Sequence, residues 1–146
     1  MSGLCEVEAD LDNGVLVNAR AFSFCVNLET VGNLWSKITS VNGNSFRIQR
    51  QGNGSSSIFE YNKDIVAPML TEVAGGSNNG YSMSRCAFKS FTAPLLQNVG
   101  SYMFAWCYYL QTVDLTAVTS IEAGAFSGCP SLTDVYLRNT SRVVTL

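Results

Sequence analysis

The chain contains no histidine. That absence removes Ser-His-Asp and Cys-His catalysis, histidine zinc sites and a histidine-based pH switch. The five cysteines are odd in number and no two stand as Cys-x-x-Cys, so an even disulfide framework is not indicated. Charge is scarce as well: 14% of residues are charged and the net charge is −2. Nucleic-acid binding normally shows a basic face, which this balance does not supply. No apolar run approaches the length of a membrane span, so no membrane insertion is expected. The first residues, Met1 to Glu6, have neither a basic n-region nor an apolar h-region and are not expected to act as a secretory signal. Paired carboxylates and nucleophile–base pairs are not recoverable, so the expectation is a non-enzyme with no catalytic residues, no metal and no cofactor.

What the chain has is repetition. Leu110-Gln111-Thr112-Val113-Asp114-Leu115 returns 22 residues later as Leu132-Thr133-Asp134-Val135-Tyr136-Leu137. The stretch from Val99 to Cys107 returns at the same interval as Ile121 to Cys129. A period of this size signals a solenoid, whose turns bury their apolar faces only by stacking on one another. The unit has two parts: Leu-x-x-Val-x-Leu, then Val or Ile, four residues, Phe, two residues and Cys. Looser copies of the first part read Phe88-x-x-Phe91-x-Ala93, Asn62-x-x-Ile65-x-Ala67, Leu28-x-x-Val31-x-Asn33 and Leu4-x-x-Val7-x-Ala9. The second part recurs from Val17 through Phe22 to Cys25, from Val41 to Phe46, and in stretched form from Val73 through Met83 to Cys86.

Six strand signatures result, centred on Val7, Val31, Ile65, Phe91, Val113 and Val135 at spacings of 24, 34, 26, 22 and 22. The irregular spacings come from polar, Gly-rich insertions near 47–58 and 75–79, which suit surface loops. At 146 residues with 47% hydrophobic composition, the expectation is one domain over 1–146, long enough to bury a core and too apolar for long disorder. In each turn the Val and the final Leu face inward and the residue between them faces out. Phe22, Phe46, Met83, Phe104 and Phe126 are expected to form one internal ladder.

The motif Ile121-x-x-x-Ala125-Phe126-x-x-Cys129-x-x-Leu132-x-x-Val135-x-Leu137 resembles the BspA-type leucine-rich repeat. The match is carried by the Ala-Phe pair, the Cys three later, the Leu three after that, and the closing Val-x-Leu. It is dense over 88–137, and Ala21-Phe22-x-x-Cys25-x-x-Leu28-x-x-Val31 is the best early copy. Departures are Met103 before Phe104, one residue missing between Cys86 and Phe88, and the insertions. The expected fold is a right-handed, β-rich leucine-rich-repeat solenoid with short parallel strands and short helical turns. The resemblance implies an adhesion or binding module of a bacterial surface, secreted or virion protein, extracellular or at the cell surface. Its partners would be host or cell-surface proteins or glycans. The rival is a structural spacer or self-assembly element: both ends of the sequence read as strands without a polar cap, which favours flanking repeats or a homo-oligomer.

Three sets of residues are candidates for chemistry. Cys25, Cys86, Cys107 and Cys129 share one repeat column. A metal or redox site competes there with simple packing of small buried thiols, and packing is the commoner arrangement. Cys5, in an outward phase, is the expected reactive thiol. Trp106, Tyr108 and Tyr109 flank Cys107 and fall outside the core columns. They either stack on sugars and anchor partners or cover neighbouring turns. The third set is the outward strand column: Glu8, Thr92, Asp114 and Tyr136, with Lys63 and Lys89 beside it. The expected ligand surface is therefore Trp106, Tyr108, Tyr109, Asp114, Tyr136, Thr92 and Lys89. Arg47 and Arg50 are too few for nucleic acid, and Gly52-x-Gly54 lacks the ending of a phosphate loop. Asp10, Asp12 and Asn13 lack the glutamate of a calcium loop.

Overall fold

The computed structural model describes residues 14–17, 21–22, 29–43, 45–46, 59–73 and 81–137. The expectations placed on Cys5, Val7, Glu8, Asp10, Asp12, Asn13, Cys25, Arg47, Arg50 and the two Gly-rich insertions lie outside the described residues.

Strands β1 (Val15–Val17), β2 (Ile38–Val41), β3 (Asp64–Val66), β4 (Glu72–Val73), β5 (Ser90–Thr92), β6 (Asn98–Val99), β7 (Thr112–Asp114), β8 (Ser120–Ile121) and β9 (Asp134–Tyr136) join one helical turn, α1 (Leu34–Lys37). Every strand pair is parallel. The strands form three groups: β3-β5-β7-β9, β1-β2-β4 and β6-β8. The result is a parallel β-solenoid of about four turns with little helix.

The repeat columns become rows of paired residues. Ile65, Phe91, Val113 and Val135 stand opposite one another along β3, β5, β7 and β9. Val17 pairs with Val41 and Val41 with Val73, while Val99 pairs with Ile121. Between the two strands of a turn the chain makes a tight corner. The amides of Leu70, Leu96 and Val118 donate to the carbonyls of Ala67, Ala93 and Leu115. Pro68 and Pro94 occupy the second position of their corners, where the fixed φ of proline suits a turn.

After the second strand, an arm of successive turns carries the third row. The amides of Phe22, Phe46, Met83 and Phe104 donate to the carbonyls of Ser45, Ser82, Met103 and Ala125 in the next turn, at 2.8–3.0 Å. The side chains of this row form the internal ladder. Phe22 stacks on Phe46 at 5.2 Å, Phe104 stacks on Phe126 at 5.4 Å, and Met83 is fully buried in the same row.

The loosest copies depart from the expected pattern. Asn62 stands where the unit has Leu, yet it is exposed with a left-handed φ of 56°. Phe59 supplies the apolar mass instead, fully buried and stacked on Phe46 at 5.7 Å. Asn33, the expected last inward position of its copy, is exposed and stands at the N-cap position of α1 without a side-chain cap. That helix sends Leu34 and Trp35 into the core. Trp35 meets Phe46, Phe59 and Phe91, so the apolar interior is continuous where the strand pattern is not.

Candidate functional site

The three described cysteines of the shared column, Cys86, Cys107 and Cys129, are free thiols. Each donates toward the carbonyl of the inward Phe or Met of the turn before: Cys86 to Phe46, Cys107 to Met83 at 3.3 Å, and Cys129 to Phe104 at 3.0 Å. The column thus needs a small side chain with a weak donor, which is what a buried thiol provides. Burial pushes the Cys86 and Cys107 thiols well above the ordinary value and keeps them protonated. Cys129, at the less buried end of the row, is held lower because the Cys107 thiol hydrogen-bonds to it. Among the described residues no group of three or more His, Cys, Asp or Glu side chains is placed to hold a metal.

Trp106 and its neighbours form a ridge along the arms. The rings of Tyr81, Tyr102 and Trp106 lie nearly parallel, at centroid separations of 5.2, 5.9 and 6.4 Å. The Arg85 guanidinium sits 4.9 Å from the Trp106 ring centroid. In the following turn, Gly124 and Gly128 occupy the same columns as Tyr102 and Trp106, and all four have left-handed φ. A Cβ at Gly128 would lie 2.5 Å from the Trp106 ring, and one at Gly124 would lie 2.5 Å from Tyr102. The two glycines therefore seat the rings of the turn above. Trp106 has Arg85 on one side and Gly128 on the other, which leaves it half-buried. Tyr108 is half-buried, and its carbonyl accepts the Ser131 hydroxyl. Tyr109 is exposed and meets Tyr61 edge-to-face at 5.1 Å. Ala87 stands between those two tyrosines in the repeat register.

The outward faces of β3, β5, β7 and β9 bring the remaining candidates together. One row reads Asp64, Ser90, Thr112, Asp134, and the next reads Val66, Thr92, Asp114, Tyr136. Thr92, Asp114, Tyr136 and Lys89 line one shallow depression together with Asp64, Ser90 and Thr112. Adjacent parallel strands lie about 4.8 Å apart, so these groups fall within the span of one small ligand or a few residues of a peptide. Asp64 accepts the Ser90 hydroxyl at 2.7 Å, and Asp134 accepts the Thr133 hydroxyl at 2.9 Å. Asp114 differs: its Oδ1 is the buried side-chain oxygen without a hydrogen-bond partner among the described residues. Tyr136 stands next to Asp114 across the sheet and is 55% exposed.

The strongest polar cluster was not signalled by the repeat. Glu60 is almost wholly buried, with a left-handed φ of 54°. Its Oε1 accepts from the Val31 amide and the Trp35 indole, both at 3.1 Å, and from the Thr30 hydroxyl at 3.3 Å. Its Oε2 pairs with Lys63 at 3.0 Å. Lys63, expected as part of the outward surface, is thus tied to this anchor, and its ammonium also donates to the Thr30 hydroxyl. Glu60 follows an insertion and has no counterpart in the regular turns. Asp64, Ser90, Thr112 and Asp134 were missed as well, although their position two residues before the outward column in these copies is the signal that could have found them.

A stack of short parallel strands, one inward hydrophobic row per strand and an arm closing each turn define a leucine-rich-repeat solenoid. Residues 77–145 match the family model described as "BspA type Leucine rich repeat region (6 copies)". No curated protein and no solved structure matches the chain. Among the described residues no helix is long and apolar enough to cross a membrane.

Proposed function

We propose that the protein is a non-enzymatic recognition module that binds a protein or glycan through the outward face of β3-β5-β7-β9. The observation that carries this reading is the depression on that face. It gathers carboxylates, hydroxyls, a lysine and an exposed tyrosine on a rigid parallel sheet. Hydroxyl-rich, half-exposed surfaces with one aromatic suit ligands held by several directional hydrogen bonds and one stacking contact. Rigid strands keep those groups in place at little entropic cost on binding.

The ridge around Trp106 contributes less to this reading. Its ring faces Arg85 and the Gly128 seat, so it serves chiefly as cover for the turns beneath it. Adhesion at a cell surface, or on a virion, is the setting we infer from the repeat family.

The test is an array of glycans and matrix proteins probed with the full chain, followed by the same array with Asp114→Ala and Tyr136→Ala. Binding that is lost in both variants while the melting temperature holds supports the strand face. Binding that both variants retain, or an array without any binding, overturns it.

A further inference from the structure

From the charges on this face, we infer that its partner is cationic: an extended, arginine-bearing polypeptide segment lying across β5, β7 and β9. The inference rests on the strand-face reading above and specifies its ligand. The outward rows carry three carboxylates, Asp64, Asp114 and Asp134, and no positive charge of their own. None of the three is ion-paired with a described lysine or arginine, since Lys63 is committed to Glu60. Lys89 stands at the rim as the one cation lining the depression.

Asp114 is the centre of the arrangement. Thr92 flanks it on β5 and Tyr136 on β9. One of its oxygens lacks a donor among the described residues, and a buried acceptor without a donor is destabilising until it finds one. A guanidinium meets both needs of the site: its fork donates two parallel hydrogen bonds to a carboxylate, and its flat face stacks on a phenol ring. With Asp114 and Tyr136 side by side, a single arginine can use both. Asp134, exposed and in the neighbouring row on β9, stands ready for a second cation of the same segment. Lys89 then acts as the repulsive element that fixes where the positive groups lie.

The probe is a Gly/Ser peptide containing arginines, titrated against the full chain, with the same peptide carrying glutamates as its control. We expect saturable binding of the arginine peptide alone, weakening as salt rises. Asp114→Asn should weaken it by about tenfold or more, as expected for loss of a charge-assisted contact. Lys89→Ala should tighten it. Asp134→Asn, at an exposed position, should weaken it by a smaller factor and serves as the second reading should Asp114→Asn fail to fold. Binding of the glutamate peptide, or an arginine peptide whose affinity ignores both aspartate substitutions, overturns the proposal. An anionic glycan or acidic protein from the array that loses affinity on Lys89→Ala and on Tyr136→Ala overturns the cationic partner while leaving the strand face as the binding surface. Loss of both requires that no array ligand responds to either substitution.

Discussion

The two sides of the solenoid are built from the same repeat, yet one is continuous and the other is split. On one side β3, β5, β7 and β9 form an unbroken parallel sheet. On the other, β1-β2-β4 and β6-β8 are separate, and β4 does not pair with β6. The split lies where the chain places nine residues between Val73 and Met83; the equivalent path from Val99 to Phe104 has four. The continuous sheet has its own limit. Among the described residues it begins at β3, just after the 47–58 insertion, and the preceding turn has a single bridge residue, Thr30, before it enters α1. Each insertion therefore coincides with the loss of strand pairing on one side only.

The interior responds differently. Trp35 and Phe59 bridge toward Phe46 and Phe91 across the first interruption. Leu70, Val73, Leu96 and Val99 stay buried across the second. Apolar burial is non-directional and tolerates a displaced turn, whereas strand pairing requires register. The comparison teaches that in this fold the core carries continuity and the sheets record regularity. The face proposed for binding lies on the regular side, where outward groups are held at fixed spacing.

The largest expected effect tests the core of the regular turns. Phe104 is fully buried against Phe88, Phe91 and Phe126. Phe104→Ala should lower the unfolding free energy by about 3–5 kcal/mol. Chemical denaturation reads this directly, and an unchanged midpoint would show that the ladder does not hold the turns together.

The next effect tests the interrupted side. At this interruption Glu60 ties Val31, Trp35 and Thr30 to the turn that follows the insertion. Glu60→Ala strands the Val31 amide and the Trp35 indole without an acceptor, at a cost of about 2–4 kcal/mol. The Trp35 fluorescence should shift to the red as its surroundings open. Glu60→Gln keeps an acceptor oxygen and should cost visibly less. Equal stability of the alanine and glutamine variants would mean that the carboxylate is not the fastener of this interruption.

How much of this was legible in the sequence follows the same division. The inward rows through Phe91, Val113 and Val135 and the ladder through Phe46 and Phe104 were readable, because each depends on a period that survives in the residues themselves. One outward row followed from the same alternation, which is why Thr92, Asp114 and Tyr136 were placed on one face. Asn62 and Asn33 misled because a repeat position was assumed to keep its role on either side of an insertion. In both cases a neighbouring aromatic, Phe59 or Trp35, took the apolar task. Glu60 was invisible for a related reason: a buried carboxylate becomes intelligible only when its donors, about thirty residues away in the sequence, are seen around it. The ridge was half legible. Trp106, Tyr108 and Tyr109 were noticed and Tyr102 was not, and the seats of Tyr102 and Trp106 on Gly124 and Gly128 depend on backbone conformation that no periodicity encodes.

Those seats give the smallest and most local effect. Arg85, Trp106 and Gly128 fall in one column and share left-handed φ values of 64°, 58° and 71°. A side chain at such a φ costs about 1–2 kcal/mol relative to glycine, and in two of these three turns the chain accepts that cost to place Arg85 and Trp106. The third turn uses glycine, because the Trp106 ring occupies the space a Cβ would need. Gly128→Ala therefore adds backbone strain and lifts the ring from its seat. We expect a loss of about 1–2 kcal/mol and a change in tryptophan fluorescence as the Arg85 contact loosens. Trp106→Ala in the same background removes the ring that collides, so the double variant should recover the steric part of the loss and keep only the backbone strain. Strict additivity of the two substitutions would show that ring and glycine do not meet, and would reopen the Trp106 face as a surface free to bind.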